Sequence, residues 1–168
     1  MMRFPFMQPR ERDYSILPLE PGDLPAVATL HGEDFARPWT DGEFASLLSQ
    51  DTVFGYTVLE TGNARAGPAG FVLARLAAGE GEILTIAVAR SHRRQGLGWK
   101  LVDAVLRELH GQRAEALFLE VDETNVPAIA LYRRFGFREV GKRPAYYETA
   151  KGRSAALVMR RDMRRPAA

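Results

Sequence analysis

The 168-residue chain contains no cysteine. This absence excludes a disulfide framework, a thiolate nucleophile and a cysteine-based zinc site. Histidine is scarce as well, and the three residues, His31, His92 and His110, lie too far apart for the short spacings of metal-binding motifs. We therefore expect no metal site, and we interpret the three histidines as surface or structural residues.

Long hydrophobic runs are also missing. No segment approaches the ~18 apolar residues of a membrane-spanning helix. Arg3, Pro5 and Pro9 interrupt the N-terminal stretch, where a secretory signal needs an apolar core. Neither charge sign dominates, since 23 Lys and Arg residues face 21 Asp and Glu residues, which gives no argument for nucleic-acid binding. We expect a cytoplasmic protein, a monomer or weak dimer, without a membrane or direct nucleic-acid partner.

The composition that is present is typical of an ordinary globular domain. Hydrophobic residues make up 46% of the chain and charged residues 26%. A chain of this length can bury a sizeable core within one domain. We predict a flexible leader at residues 1–11, a single domain at 12–163 and a flexible tail at 164–168.

Hydrophobic periodicity and turn signals predict the element order β-α-α-β-β-β-α-β-α-β-β, which indicates an α/β or α+β fold. Thr40 and Glu43 have the spacing of a capping box at the start of the second helix. The predicted strands are 14–19, 52–59, 70–76, 83–88, 117–121, 137–140 and 155–159. The predicted helices are 23–35, 40–48, 97–109 and 125–135. A polar loop is expected between the last two strands.

The stretch 81–106 joins an apolar strand, a basic turn and an amphipathic helix. Gly96 and Gly98 fall where the strand passes into the helix. Unpaired N–H groups and the helix dipole favour an anion at such a helix N-terminus, and glycine leaves these amides uncovered. Three side chains add positive charge: Arg93, Arg94 and Lys100. The pattern predicts a pyrophosphate-binding turn.

This turn does not match the common nucleotide-binding loops. A P-loop needs Gly-Lys-Ser/Thr at its end, and a dinucleotide fingerprint needs a third glycine where this chain has Leu101. Two glycines alone also fit an ordinary loop with a solvated basic run. However, the pattern Arg-x-x-Gly-x-Gly at Arg93, Gly96 and Gly98, directly after a strand, resembles the acetyl-CoA-binding motif of the GNAT superfamily of N-acetyltransferases.

A second motif follows in the C-terminal half. Leu119-Glu120-Val121, Asn125, Ala128, Leu131-Tyr132 and Gly136-Phe137 have the spacing LEV…N..A..LY...GF. This spacing resembles the RimI group of the superfamily, the ribosomal-protein-alanine N-acetyltransferases. The segment Phe35–Trp39 and the pair Tyr146-Tyr147 resemble two loops of that group. The resemblance covers about residues 14–163.

The resemblance implies a mixed, mostly antiparallel sheet with flanking helices and a splayed pair of parallel strands that holds acetyl-CoA. Backbone N–H groups at Ile86, Ala87 and Val88 would bind the pantetheine arm. The amides that would bind the pyrophosphate are those of Gln95, Gly96, Leu97, Gly98 and Trp99. Asn125 would contact pantetheine, cap the following helix, or both.

The resemblance also assigns catalytic roles. Glu120 is similar in position to the family's general base, acting through water, and Tyr132 to the general acid at the sulfur. A strand carboxylate paired with a basic neighbour and a core aromatic are the structural alternatives. Glu82 is a rival base, because some relatives carry their carboxylate on that strand. The residues expected to line the acceptor site are Pro38, Trp39, Tyr146 and Tyr147.

We therefore predict acetyl transfer from acetyl-CoA to a protein N-terminal α-amine, most simply on a ribosomal protein. Three departures from the RimI pattern, at Asp122, Ser154-Ala155 and Trp99, leave acetyl transfer intact but weaken the argument for that acceptor. The runner-up is a GNAT enzyme acting on a small-molecule amine or a lysine side chain. A third interpretation is a non-catalytic CoA-binding or RNA-associated module, which the presence of both Glu120 and Tyr132 disfavours.

Overall fold

The computed structural model describes residues 12–35, 37–149 and 152–163, so the predicted leader and tail lie outside the described residues. The strands are β1 Tyr14–Pro18, β2 Val53–Glu60, β3 Pro68–Ala77, β4 Glu80–Val88, β5 Ala116–Asp122, β6 Arg138–Thr149 and β7 Gly152–Asp162. The helices are α1 Leu24–Asp34, α2 Asp41–Leu48, α3 Leu97–Gly111 and α4 Val126–Arg134. The predicted order of strands and α-helices is confirmed.

The seven strands form one sheet in the order β1-β2-β3-β4-β5-β7-β6. All neighbouring strands are antiparallel except β4 and β5, which are parallel. Helix α3 connects these two parallel strands, as a crossover between parallel strands requires. The predicted mixed and mostly antiparallel sheet is therefore confirmed.

Helices cover both faces of the sheet. The α3 face is packed by α3 and α4, and the predicted apolar stripe of α3 is buried there: Leu97, Leu101, Val102, Val105, Leu106 and Leu109. The α1 face is packed by α1 and α2, through Val27, Leu30 and Phe44 against Phe71 and Leu73. None of the helices formed by the described residues has the length and apolar character of a membrane span.

A β-bulge in β4 positions the site. In the register with β3, Ala74 pairs with Ile83 and Leu73 pairs with Thr85, so Leu84 is the extra residue. Pairing of β4 with β5 ends at the same place, since the last pair is Ile83 with Leu119. Beyond that pair the two parallel strands separate, which confirms the predicted splayed pair. The sheet therefore has an opening between the C-terminal halves of β4 and β5.

The bulge also exchanges the faces to which the β4 side chains point, because one extra residue shifts the alternation of a strand. Ile83 and Ile86 both pack in the cluster on the α3 face. Thr85 and Ala87 lie on the α1 face, opposite Leu73 and Phe71 of its cluster. Beside the opening, Ile86 therefore points to the α3 face, and Thr85 and Ala87 point to the α1 face.

The last two strands are longer than predicted. The sequence predicted a polar loop between residues 140 and 155, but β6 continues to Thr149 and β7 begins at Gly152. The backbone of Tyr146 and Tyr147 is therefore in β6 rather than in a loop. The register with β7 shifts twice: Val140 is the extra residue at the first shift, and Pro144 lies within the second, between Arg143 and Tyr147. Proline lacks an N–H donor and is tolerated at such irregularities, although it indicates a loop in the sequence.

Candidate active site

The opening between β4 and β5 exposes one edge of β4. Ala89 N donates to Ala69 O of the β3 side at 2.8 Å. Since N–H groups alternate between the two edges of an antiparallel strand, those of Ile86 and Val88 point into the opening, and that of Ala87 points toward β3. The β5 ladder ends before these residues. The opening therefore offers two backbone donors to an extended ligand.

The N-terminus of α3 lies beyond the C-terminal end of β4. Gly96 is the N-cap residue, with φ +72° and ψ 18°, and among the described residues no side chain caps the helix. A Cβ atom at position 96 would meet nothing within 4 Å, so space does not require a glycine there. The left-handed backbone conformation explains the glycine. The amides of Leu97, Gly98 and Trp99 begin the helix without a capping side chain. This is the geometry of an anion site.

Close packing between two helices explains the glycine at position 98. A Cβ atom there would lie 3.2 Å from Leu131 Cδ2 of α4, so the absent side chain lets the two helices approach closely. The Trp99 ring stacks on Phe135 with a centroid distance of 3.7 Å, and the Arg134 guanidinium lies 5.3 Å from its centroid. The bulky Trp99 thus packs against the end of α4, which explains how the first turn of α3 accommodates it.

The basic turn before α3 is anchored by residues that the sequence reasoning missed. Arg93 Nη2 lies 2.6 Å from Asp34 Oδ1 at the end of α1. Tyr14 Oη donates to Gln95 Oε1 at 2.6 Å. The Arg93 guanidinium is therefore paired with α1. Arg93, Arg94 in the same turn and Lys100 at the start of α3 are all exposed.

A groove of about 360 Å³ lies at the base of the opening. The charged residues in its lining are Arg75, Glu80, Glu82, Glu120 and Arg143. Glu82 is on β4 opposite Phe118, and Glu120 follows two residues later on the same face of β5. The structure thus brings together the two carboxylates that the sequence proposes as alternative bases.

Glu120 has a specific partner in this groove. Arg143 Nη2, on β6, lies 3.0 Å from Glu120 Oε1, and the Glu120 side chain is 24% exposed. A charge-assisted pair of this length orients the carboxylate. Arg143 lies on β6, which β7 separates from β5 in the sheet, and no local pattern indicated this contact.

Tyr132 lies on α4 and is 5% exposed. Its ring packs edge-on against Phe137 at 5.7 Å, within the cluster on the α3 face. Asn125 is the N-cap of this helix, and its Oδ1 accepts from Ala128 N at 3.3 Å. The capping role considered for Asn125 is therefore present, and it fixes the start of the helix that carries Tyr132.

The segment between α1 and α2 is built around His31, which is 1% exposed. The His31 ring stacks between Phe35 and Trp39, with centroid distances of 4.0 and 5.0 Å. Trp39 N donates to His31 Nδ1 at 3.1 Å, so the ring proton lies on Nε2. Burial lowers the pKa of His31, although nearby Asp34 and Glu43 partly oppose the shift.

Two of the predicted acceptor residues lie in this segment. Trp39 is half-buried and Pro38 is exposed. The predicted capping box follows directly: Thr40 Oγ1 accepts from Glu43 N at 3.2 Å, and Thr40 N donates to Glu43 Oε2 at 2.7 Å. The side chains of Tyr146 and Tyr147, the other predicted pair, lie outside the described residues.

Comparison with known proteins decides the family. The profile of the Acetyltransferase (GNAT) family matches residues 24–137, which include both strands of the opening, the α3 N-terminus and Tyr132. The chain belongs to the GNAT family of acetyltransferases. The resemblance inferred from the two sequence motifs is confirmed.

Several relatives of this GNAT enzyme are named as N-acetyltransferases. The [ribosomal protein bS18]-alanine N-acetyltransferase of Escherichia coli is 34% identical over 145 residues, which are 86% of this chain and 95% of the relative. A crystal structure of the E. coli ribosomal-protein-S18-alanine N-acetyltransferase has a TM-score of 0.84, with 32% identity, over 92% of this chain and 97% of that chain. A protein of Arabidopsis thaliana in complex with acetyl-CoA shares the fold, with a TM-score of 0.78 and 20% identity over 89% and 98% of the two chains.

Two departures of this GNAT chain from the RimI pattern contact each other. Ser154 Oγ on β7 donates to Asp122 Oδ2 at 2.7 Å. Asp122 Oδ1 also accepts from Thr124 N and Thr124 Oγ1, both at 2.8 Å. Burial alone would raise the pKa of Asp122, but these hydrogen bonds outweigh it and lower the pKa. The pair joins the end of β5 to β7 beside the opening, so the two departures form one structural unit.

Proposed function

We propose that this enzyme transfers the acetyl group of acetyl-CoA to the N-terminal α-amine of a protein, with a ribosomal protein as the acceptor. The observation that carries the proposal is the position of the opening in the sheet. It is bordered by the uncapped α3 N-terminus beyond β4 and by the Glu120 groove at its base. Sequence identity of 34% with the E. coli bS18-alanine enzyme supports the choice of acceptor.

The residues at the opening fit acetyl-CoA. The Ile86 and Val88 amides would pair with the pantetheine arm, and Ala87 would line the same edge. The amides from Gln95 to Trp99 would bind the pyrophosphate, with charge from Arg94 and Lys100. Asn125 would border pantetheine while it caps α4. When bound, acetyl-CoA supplies the thioester from which the acetyl group is transferred.

Two side chains would carry the proton transfers. The acceptor nitrogen forms a bond to the acetyl carbon as the carbon–sulfur bond breaks. Glu120 would accept the proton that the ammonium loses, through a water molecule, and Tyr132 would donate a proton to the departing sulfur. The nitrogen would lose its second proton to solvent as the amide forms, and Tyr132 would regain a proton from solvent. A hydroxyl suits the second role because an unperturbed tyrosine has a pKa of about 10 and is protonated at neutral pH. Since the chain has no cysteine, transfer through a cysteine acetyl-enzyme is excluded.

The proposed acceptor agrees with a base that acts through water. At pH 7 an α-amine with a pKa of about 7.8 is roughly one-tenth unprotonated, whereas a lysine amine at about 10.4 is ~0.04% unprotonated. A carboxylate that acts through water is sufficient to deprotonate the α-amine. The lysine amine is far more difficult to deprotonate at this pH. Glu82 lies in the same groove and is the alternative base.

Initial rates with three kinds of acceptor test the proposal. Peptides with ribosomal-protein N-termini are compared with free lysine and with spermidine, and the matched control is the same peptide with a blocked α-amine. We expect the free-terminus peptide to react fastest and the blocked peptide to be inert. Faster acetylation of spermidine or lysine would replace the proposed acceptor with a small-molecule amine.

A further inference from the structure

One buried hydroxyl at the opening has no structural explanation. Thr85 is 7% exposed, and its Oγ1 atom is enclosed by protein. Among the buried side-chain polar atoms of the described residues, Thr85 Oγ1 lacks a hydrogen-bond partner. Most buried side-chain polar atoms have at least one partner, and an enclosed polar atom without one costs stability. The hydroxyl therefore needs a partner from outside the chain.

The position of Thr85 follows from the bulge. The last pair of β4 with β5 is Ile83 with Leu119. The next β5 residue is Glu120, and the next paired β4 residue beyond the bulge is Thr85. Both belong to the α1 face, because Thr85 pairs with Leu73 of that face and Glu120 lines the groove with Glu82. Thr85 and Glu120 therefore lie on the same face of the sheet, on adjacent strands, where these strands begin to separate.

The separation suits a small bridging molecule. Paired strands lie about 4.8 Å apart, and the distance increases once the ladder ends. A water molecule binds where two or more polar groups converge in a space too small for a side chain. One such group is the Glu120 carboxylate, which Arg143 orients at 3.0 Å. The second is the hydroxyl of Thr85.

We propose that Thr85 is a positioning residue that holds, together with Glu120, the water through which the acceptor ammonium loses its proton. This inference rests on the proposed role of Glu120. The water donates one O–H to the Glu120 carboxylate and the other to Thr85 Oγ1, which leaves a lone pair for the ammonium N–H. As the amine is deprotonated, its proton passes to the water and one proton of the water passes to Glu120.

A purely structural threonine would behave differently. The residues that flank Thr85 in β4 are apolar: Ile83, Leu84, Ile86, Ala87 and Val88. Valine has nearly the shape of threonine and would fill the same space without an unpaired hydroxyl. If the hydroxyl serves packing alone, its removal is harmless or stabilising. If it holds the water, its removal slows proton transfer while the fold is unchanged.

The test compares Thr85→Val, which removes the hydroxyl, with Thr85→Ser, which keeps it. We expect Thr85→Val to equal or exceed the wild type in thermal stability and to keep its acetyl-CoA affinity. Its kcat with an N-terminal peptide should fall about tenfold, with little change in KM, and the defect should shrink as pH rises and the amine deprotonates. Thr85→Ser should recover most of kcat. Thr57→Val, a buried threonine on β2 away from the opening, is the matched control and should keep wild-type kinetics.

Two results would overturn the inference: wild-type kcat in Thr85→Val at every pH, or a loss of its stability that accounts for the lost activity. The double variant Thr85→Val/Glu120→Gln separates this inference from the proposed base. If both residues hold one water, the double variant should be no slower than Glu120→Gln alone. If Glu120→Gln has no defect, the proposed base is wrong; if the two defects multiply, the shared water is wrong.

Discussion

Individual side chains at the opening are held by contacts that come from distant parts of the chain. Glu120 is oriented by Arg143, and Tyr132 packs against Phe137. The proposed catalytic pair thus combines a carboxylate that is 24% exposed with a buried tyrosine. Such a difference in environment suits opposite roles, because a base needs access to the acceptor and an acid needs a fixed position at the sulfur.

Tyr132→Phe should lower kcat by roughly 10² to 10⁴ while acetyl-CoA affinity stays nearly intact. The hydroxyl is needed only when the carbon–sulfur bond breaks, so its loss affects the transition state rather than ground-state binding. Steady-state kinetics and calorimetry measure the two quantities. A near-normal kcat in Tyr132→Phe would mean that water or another residue protonates the sulfur.

Glu120→Gln should differ from Tyr132→Phe in the pH dependence of its kcat. Its defect should decrease as pH rises, since the amine then loses its proton without help, whereas the Tyr132→Phe defect should not be rescued in this way. The comparison holds below the pH at which a tyrosine ionises, near an unperturbed pKa of about 10. Equal pH dependence of the two variants would contradict the separate roles.

His31 should make stability depend on pH. Burial lowers its pKa below the ordinary value of 6.5, so between the two values the unfolded chain binds a proton that the folded chain does not. The free energy of unfolding should therefore fall as pH decreases from about 6.5 toward the lowered pKa. Well above pH 6.5 the ring is neutral in both states, so His31 should cause no further change with pH. Protonation also removes the acceptor for Trp39 N.

His31→Asn tests this dependence, because its Oδ1 can accept from Trp39 N and does not titrate. We expect the variant to be less stable at about pH 7.5, where ring packing is lost, but to lose less stability than the wild type on going to about pH 5.5. Denaturant unfolding at several pH values measures the difference. Parallel pH profiles for the two proteins would contradict the prediction.

At the scale of elements, the site depends on a bulge and a helix N-terminus. The extra residue Leu84 ends the β4–β5 ladder and creates the opening. Gly96 begins α3 in a left-handed conformation and leaves the next amides without a capping side chain. Neither feature involves a charged side chain, so the backbone forms both of the surfaces that we propose for acetyl-CoA, and Arg94 and Lys100 would only add charge beside them.

Gly96→Val should weaken acetyl-CoA binding more than tenfold, because a β-branched residue is an outlier at φ +72° and would shift the turn. Gly96→Asn should bind within a few-fold of the wild type, since asparagine tolerates that region. Gly111→Ala, at the other end of α3 with nothing within 4 Å of its Cβ, is the control for glycine replacement. Calorimetry with all three variants checks the expectation, and unchanged affinity in Gly96→Val would remove the pyrophosphate assignment.

Local features of the elements could be predicted from the sequence. The period of α3 and the capping box at Thr40 and Glu43 depend on residues three or four positions apart, so both could be predicted. The bulge could not be predicted, because residues 83–88 are apolar except for Thr85, and this run does not indicate which residue is the extra one. The length of β6 was missed because Pro144 indicates a loop, and the bulge that accommodates it is defined only by pairing with β7.

In the candidate site, too, local features could be predicted from the sequence and contacts between distant strands could not. Motif spacing placed Glu120 beside the opening and the glycines at the α3 N-terminus. The pairs Glu120–Arg143 and Asp122–Ser154 join different strands, and their partners lie more than 20 residues apart. The sequence contains no periodicity that links such positions, so these contacts depend on the sheet order.

In the whole molecule, the two surfaces that we propose for the two substrates lie at different places along β4 and β5. The α3 N-terminus and the edge of β4 offer backbone donors, whereas the Glu120 groove lies at the base of the same opening. A protein terminus can enter such a groove as a single extended strand. This arrangement allows direct transfer in a complex that contains both substrates.

The most direct test of the central claim uses one peptide with two competing amines. The purified enzyme is incubated with acetyl-CoA and a peptide that has an N-terminal alanine and an internal lysine, and tandem mass spectrometry locates the acetyl group. The account predicts acetylation of the α-nitrogen, with the lysine unmodified. Acetyl groups on the lysine, or an unmodified peptide alongside acetylated spermidine in a parallel reaction, would contradict it.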